Sequence, residues 1–348
     1  MSETASTNID TGNGPRAFFS SGIDAKPTPF SKIPLIDFGP MGSSDPAARR
    51  AVGDAVRDAC TQVGFFYAQN HGVPKAVIDG TFEAAHRFFA LPNSTKMTIA
   101  AQNSDNNRGY TPLLGENTDP NGKGDLLEAF DFALELDEDD PALSSGLFGY
   151  APNQWPAGDH EFRKTLLTYH AEALAFGRRI FGAFALALEL PEDTFDPMIT
   201  KPLSVMRVLH YPPQQGAIDE KQIGIGAHSD YECFTMLCTD DVGALQVLNT
   251  AGEWIDAPPI EVAFIVNVGD MMARWTNDYF QSTIHRVINR SGRERYSIPL
   301  FFGPNPDVEI AVFDSCQSPS NPAKYEPIQA GAYVEQRIDA TFSHRAEN

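Results

Sequence analysis

Apolar positions in this chain change their period partway along. In "DPAARRAVGDAVRDACTQVG" (45–64) they recur every three to four residues, with Asp45 as a helix cap and Pro46 in the first turn. "PKAVIDGTFEAAHRFFAL" (74–91) repeats that spacing until Pro92 stops it. The apolar runs "IPLIDFGPM" (33–41) and "FFYAQNHG" (65–72) read as strands, so the first hundred residues alternate strand and helix. Residues 93–125 are polar and rich in Asn, Asp and Gly, which predicts a long surface loop. "DLLEAFDFALEL" (125–136) places Phe130 and Phe132 two apart, as a strand does. "HEFRKTLLTYHAEALAFGRRIFGAFALALEL" (160–190) is the longest helical pattern and predicts a brace packed on the core.

From residue 203 the texture is different. "LSVMRVLHY", "GIGAHSDYECFTMLC", "GALQVLN", "EWIDAPP", "FIVNVGD", "STIHRVI" and "RYSIPLFF" are short runs rich in β-branched and aromatic residues. They return at intervals of roughly ten residues between turn signals, the pattern of a sandwich or small barrel. "NTAGEW" (249–254) predicts a hairpin turn, and "AGAYVEQRIDATF" (330–342) a closing helix. The expected layout is a disordered tail over 1–28, a support region of mixed α and β character over 29–200, a β core over 201–310 and a C-terminal segment with a helix over 311–348.

Composition narrows the partners. The 348 residues carry 46 acidic and 26 basic side chains, a formal charge of -20. That balance argues against a nucleic-acid groove or an anionic membrane surface and leaves a small-molecule substrate as the expected partner. No apolar run reaches the ~18 residues a bilayer span needs. The start, "MSETASTNIDTGNGPR", lacks the features of a signal peptide. Cys60, Cys233, Cys238 and Cys316 form no CxxC pair, which suits reduced thiols in a cytoplasmic protein.

The chemistry starts in "IGIGAHSDYECFTMLC" (223–238). Read as one buried strand, it carries His228 and Asp230 two apart and therefore on one face. A charge there needs a partner. "STIHRV" supplies His285 from another predicted strand, 55 residues after Asp230. Two histidines and one carboxylate at this spacing match a facial triad, which suits iron(II) and leaves three positions open. Any one of these histidines alone is equally explained as a core residue satisfied by backbone. Further on, Arg295 and Ser297 share a face of "RYSIPLFF". A planar guanidinium pointing into a barrel takes a carboxylate through two parallel hydrogen bonds. The alternative is a surface arginine on an edge strand, which Pro299 permits. With the triad, Arg295 and Ser297 suit the far carboxylate of a small diacid whose other end chelates the metal, and Tyr211 can add its hydroxyl.

These residues resemble the isopenicillin N synthase-like family of non-haem iron(II), 2-oxoglutarate-dependent dioxygenases. The resemblance runs from "IPLIDF" and "GFFYAQNHGVP" through "NRGYTPL" and "NQWP" to "RYS". "RVLHYP", "GAHSDY", "GALQV", "VNVGDMMARWTND" and "STIHRV" look most like its thymine hydroxylase-like members. It implies a distorted double-stranded β-helix, or jelly roll, that is mainly β with flanking helices. It implies iron(II) on His228, Asp230 and His285, and 2-oxoglutarate on Arg295, Ser297 and Tyr211. It also implies use of O2, release of succinate and CO2, and most often hydroxylation of the substrate. One departure is Leu209, where some members have an asparagine that helps hold the cosubstrate. Isopenicillin N synthase keeps the Arg-x-Ser pair for its own substrate, so the motif leaves open whose carboxylate is bound. An oxidase independent of 2-oxoglutarate and a non-catalytic barrel-fold binding protein are the alternatives.

Period-two counting extends the inward face. Phe301 follows Arg295 and Ser297 as a pocket wall, or is ordinary core. Arg207, four before Tyr211, faces substrate or forms a structural salt bridge. Asn107, Arg108 and Tyr110 in "NRGY" contact substrate or simply build a turn around Gly109.

Overall fold

The apolar alternation after residue 203 resolves into two sheets with a cavity between them. The structure is a computed structural model that describes residues 6–19, 33–104, 106–118, 122–214, 218–219 and 221–346. In chain order, β1 (Ser6–Thr11) and β2 (Gly14–Phe19) form a hairpin. The larger sheet takes β3 (Leu35–Asp37), β4 (Phe65–Gln69), β5 (Gly109–Thr111), β6 (Glu128–Phe132) and β7 (Ser204–Tyr211). The smaller sheet starts with β8 (Ile225–His228), before β9 (Phe234–Thr239) returns to the larger one. β10 (Leu245–Leu248) and β11 (Trp254–Asp256) join β8, β12 (Ala263–Val268) joins β9, and β13 (His285–Val287) and β14 (Arg295–Phe302) divide in the same way. The eight-stranded order is β3-β4-β12-β9-β14-β7-β6-β5 and the four-stranded order is β11-β10-β13-β8. All these pairs are antiparallel except β3 with β4. Repeated exchange of strands between two sheets is the jelly-roll layout, mainly β with helices outside. Among the described residues no helix is long and apolar enough to cross a membrane.

The helices cover one face of the larger sheet. α1 (Pro46–Gln62) and α2 (Lys75–Phe89) pack against α4 (His160–Ala187), while α3 (Asn93–Lys96) is a single turn. Asp45 caps α1 by accepting from Ala47 N, and Asp159 caps α4 by accepting from Phe162 N at 3.0 Å. α4 buries Phe162, Leu166, Tyr169, Ala173, Phe176, Ile180 and Phe184, one every three or four residues. That stripe meets outward residues of the strands, with Phe181 5.1 Å from Phe234 and 5.2 Å from Phe302 between ring centres. Because strand side chains alternate, Phe234, Met236, Ile298, Leu300 and Phe302 face the helix. Thr235, Leu237, Ser297, Pro299 and Phe301 line the cavity on the other side. Gly177 lies where α4 comes closest, and a Cβ built on it would overlap the Phe302 ring.

Four sequence expectations change. The single strand through Asp230 ends at His228, and residues 229–233 bend across the N-terminus of α5 (Asp270–Trp275). Asp270 N donates to Asp230 O at 2.8 Å and Ser229 Oγ to Asp270 Oδ2 at 2.9 Å, so local hydrogen bonds override the alternation. The loop over 93–125 contains α3 and β5, because Tyr110 and Lys96 are drawn inward by Glu128. The tail expected over 1–28 is corrected for residues 6–19: Gly12 and Asn13 make a two-residue hairpin turn. Asn13 Nδ2 donates to Asp270 O at 2.9 Å, and Arg16 donates to Ser282 O. The rest of that tail lies outside the described residues. The closing helix runs further than expected, as α6 (Ala330–Ala346), preceded by the short pair β15 (Glu309–Ile310) and β16 (Ile328–Gln329).

Glu128 and His210 are cross-strand neighbours on the outer face of β6 and β7. Glu128 accepts from Lys96 Nζ and Tyr110 OH, each at 2.5 Å, and pairs with His210 Nδ1 at 2.7 Å. Burial works to raise the Glu128 carboxyl, but the bonds from His210, Lys96 and Tyr110 outweigh it and hold the group below its ordinary range. Stability from a lowered carboxyl is present above its unfolded value, about 4.3, and lost as pH falls through the folded value. Glu128→Gln should therefore flatten the acid limb of the stability curve below about pH 5, measured by denaturant unfolding across pH. An acid limb identical to wild type would refute the network's role. Gly177→Val should cost about 1–3 kcal/mol through overpacking against Phe302, read as a lower unfolding midpoint with an unchanged slope.

Candidate active site

Two strand ends and one bend bring the polar residues together. His228 closes β8, His285 opens β13, and the two are direct cross-strand partners with ring centres 4.3 Å apart. The bend after β8 delivers Asp230 beside them. Nε2 of each histidine lies 3.6 Å from Asp230 Oδ1, and the ligand atoms all fall within 4.8 Å of one another.

The hydrogen bonds around these groups decide their chemistry. His228 Nδ1 is 2.8 Å from Gly226 O, and His285 Nδ1 is 3.1 Å from Thr283 O. A carbonyl only accepts, so each Nδ1 carries a proton, and in the neutral ring that leaves Nε2 with a lone pair. Asp230 Oδ2 accepts from Thr235 Oγ1 and, at 2.7 Å, from Asn267 Nδ2, which leaves Oδ1 for the centre. Burial, then the neighbouring His228, lowers His285 to about 4 and keeps it neutral. Burial alone would raise Asp230, but His285 and His228, with the Thr235 and Asn267 bonds, bring it below its ordinary value. Two neutral imidazoles and one carboxylate with a shared open side fit iron(II). Thr235 and Asn267 were not legible as supports. The one available signal was Asn267, a lone amide in the apolar run "FIVNVGD".

Arg295 sits on the inner face of β14, directly opposite Tyr211 of β7, while Ser297 faces Leu209. β14 runs between β9 and β7, so the alternative of an edge-strand arginine does not hold. Arg295 is 1% exposed, donates to Val242 O and Ser297 Oγ at 3.2 Å each, and lies 4.7 Å over the Tyr211 ring. Among the described residues no carboxylate lies within ion-pair distance of it. Burial raises the Tyr211 phenol although Arg295 opposes, so a neutral hydroxyl stands beside the guanidinium. A buried cation on a cavity wall, with no carboxylate at ion-pair distance among the described residues and only the longer-range charge of Asp240 acting on it, fits a ligand carboxylate.

The cavity measures about 1050 Å³ and includes the triad, Arg295, Ser297 and Tyr211. Phe301 is on its wall, as are Leu209 and Asn107, the last with a left-handed φ of 55°. Arg207 reaches it too, but is tied to Glu116 and, at 2.9 Å, to Asp131; the salt-bridge alternative describes it. Arg108 borders the cavity while donating to the carbonyls of Gly149 and Ala151, so it anchors that segment. Tyr110 also borders it, with its hydroxyl spent on Glu128. Ile9 of the hairpin and Val334, Arg337 and Ile338 of α6 complete the mouth. Glu232, which the sequence did not single out, lies on the wall with its carboxyl raised to about 8 by burial and by Asp230.

Comparison with known proteins agrees with this geometry. Residues 33–158 match the family described as non-haem dioxygenase in morphine synthesis N-terminal, and residues 202–304 match the 2OG-Fe(II) oxygenase superfamily. The 2-oxoglutarate-Fe(II) type oxidoreductase hxnY of Emericella nidulans is 40% identical over 90% of this chain and 93% of its own. Homoarginine-6-hydroxylase 2-ODD-233 of Oryza sativa is 33% identical over 90% of this chain and 98% of its own. Neurospora crassa T7H, solved in complex with alpha-KG (2-oxoglutarate) and thymine, superposes with a TM-score of 0.79 at 29% identity, covering 89% of this chain and 97% of that one. The oxidase and binding-protein alternatives have no counterpart among these relatives. The chain belongs to the 2OG-Fe(II) oxygenase superfamily and is a dioxygenase that uses iron(II), 2-oxoglutarate and O2.

Proposed function

We propose that His228, Asp230 and His285 hold the iron, and that Arg295, Ser297 and Tyr211 hold the distal carboxylate of 2-oxoglutarate. The substrate is a small organic molecule bound against Phe301 and the loop that carries Asn107. The observation that carries this reading is the proton arrangement. Both histidine Nδ1–H groups are committed to backbone carbonyls and Asp230 Oδ2 is committed to Thr235 and Asn267. Three lone pairs are left facing one point. The names of relatives that carry homoarginine or bind thymine support a substrate of that size.

Bound iron supplies oxygen activation coupled to decarboxylation of 2-oxoglutarate, so that succinate and CO2 leave and the substrate is oxidised, most often by gaining a hydroxyl. The residues position and exclude. One carboxylate and two neutral imidazoles leave a divalent ion with a single net positive charge, which still attracts the keto acid. Arg295 fixes the other end of that diacid by two N–H donors, with Ser297 and Tyr211 hydroxyls beside it. Ile9 and the inward face of α6 narrow the mouth and keep water from the centre. Placement in a reducing cytoplasm rests on four free cysteines, three of them buried.

Adding iron(II) to oxygen-free apoprotein and titrating 2-oxoglutarate tests the reading, because keto-acid chelation gives a weak visible band. Asp230→Ala should abolish iron binding and the band together. Arg295→Leu should retain iron and weaken 2-oxoglutarate roughly ten- to hundredfold. Full turnover by Asp230→Ala would sink the metal assignment. Asn267→Leu should weaken iron binding roughly ten- to hundredfold by freeing the carboxylate to rotate, measured by competition with a chelator.

A further inference from the structure

Glu232 is 4% exposed and lies on the cavity wall two residues beyond Asp230. Its carboxyl makes no hydrogen bond and no ion pair among the described residues. Oε2 is fully enclosed, pressed over the backbone of Gly303 so closely that a Cβ at that position would collide with it. Oε1 is therefore the oxygen turned to the cavity. The fold makes space for this group, at the price of a glycine at the end of β14, and gives it no partner. Buried polar groups in proteins are almost always satisfied, and an unsatisfied one on a cavity wall points to a ligand.

The other charges on the wall say which ligand. Arg207 is held by Glu116 and Asp131, Arg108 by backbone carbonyls, and Arg337 is stacked 4.9 Å over the Tyr231 ring. Asp125 is satisfied by Thr118 and by Gly226 N. Once Arg295 is taken by the cosubstrate, the substrate meets an acid without a donor, and no arginine dedicated to an anion.

We propose that Glu232 selects the substrate, accepting a hydrogen bond from an N–H group of a neutral or cationic nitrogenous molecule. This rests on the reading that 2-oxoglutarate occupies Arg295. An N–H of an amide, lactam, ammonium or guanidinium group brings the donor that the enclosed carboxyl lacks.

The test uses wild type, Glu232→Gln and Glu232→Leu, each loaded with iron(II) and 2-oxoglutarate without oxygen. The probes are δ-valerolactam, benzamide and benzamidine and their fully N-methylated derivatives, which have no N–H, with binding read by saturation-transfer NMR. N–H probes should bind wild type roughly ten- to hundredfold more tightly than their fully N-methylated derivatives. Glu232→Leu should erase that preference. Glu232→Gln should keep the neutral probes and lose the selectivity for benzamidine. Equal binding of methylated probes, no binding by any N–H probe, or a preference that survives in Glu232→Leu would overturn the proposal. Melting temperatures separate recognition from support: both variants should melt at or above wild type, since no partner is lost, and a large fall would overturn it too. The 2-oxoglutarate band, recorded on the same samples, distinguishes the failures. Without the band the earlier reading fails, whereas a band with no N–H preference defeats only the role of Glu232.

Discussion

Three donor atoms without protons, gathered inside a protein within 4.8 Å of one another, repel each other until a cation joins them. Much of the architecture can be understood as the scaffold that resists this repulsion. Cross-strand pairing of His228 with His285 fixes the two rings against each other. Backbone carbonyls set their tautomers. The Asp230 carboxylate is clamped by Thr235 on β9 and Asn267 on β12, adjacent strands of the opposite sheet. Those strands are in turn pressed from behind by the aromatic stripe of α4, through Phe176, Phe181 and Phe184. The proposed metal centre thus draws on both sheets and on the longest helix.

A second constraint is economy of positive charge. The cavity has several arginines on its wall, yet Arg207 is paired with acids and Arg108 is spent on backbone carbonyls, while Arg295 has two N–H groups to spare and, among the described residues, no carboxylate at ion-pair distance. Charge of one sign is left open at the end where a diacid belongs. An unpartnered carboxyl is left at Glu232. A cavity with two such different groups orients what it holds, because each end favours a different chemistry.

Local rules made much of this visible in the sequence. The period-two relation placed Arg295, Ser297 and Phe301 on one inner face, and the helix pattern over 160–190 announced α4 almost to its ends. The same rule reached Asp230 through a wrong geometry: the residue lies in a bend, brought next to His228 by its bonds to α5. Where the reading stopped, the cause was a contact distant in sequence. Thr235 and Asn267 act on Asp230 from other strands, Tyr110 is claimed by Glu128, and Arg207 is claimed by Glu116 91 residues away. Glu232 was legible in principle, as a second charge in the same apolar run as Asp230, but alternation offered no reason to prefer it. The hairpin at residues 6–19 was hidden because its support comes from Asp270 and Ser282.

The formal charge of -20 gives the solitary Arg295 a particular kinetic setting. A dianionic cosubstrate approaching from solution meets a field of its own sign and feels attraction only once it is inside the cavity. Encounter is therefore governed by screening: at physiological ionic strength the repulsion decays within about 8 Å of the surface, and in dilute buffer it reaches several times further. In the proposed binding mode Arg295 is a short-range trap behind a long-range barrier, and the salt content of the medium sets how often that barrier is crossed.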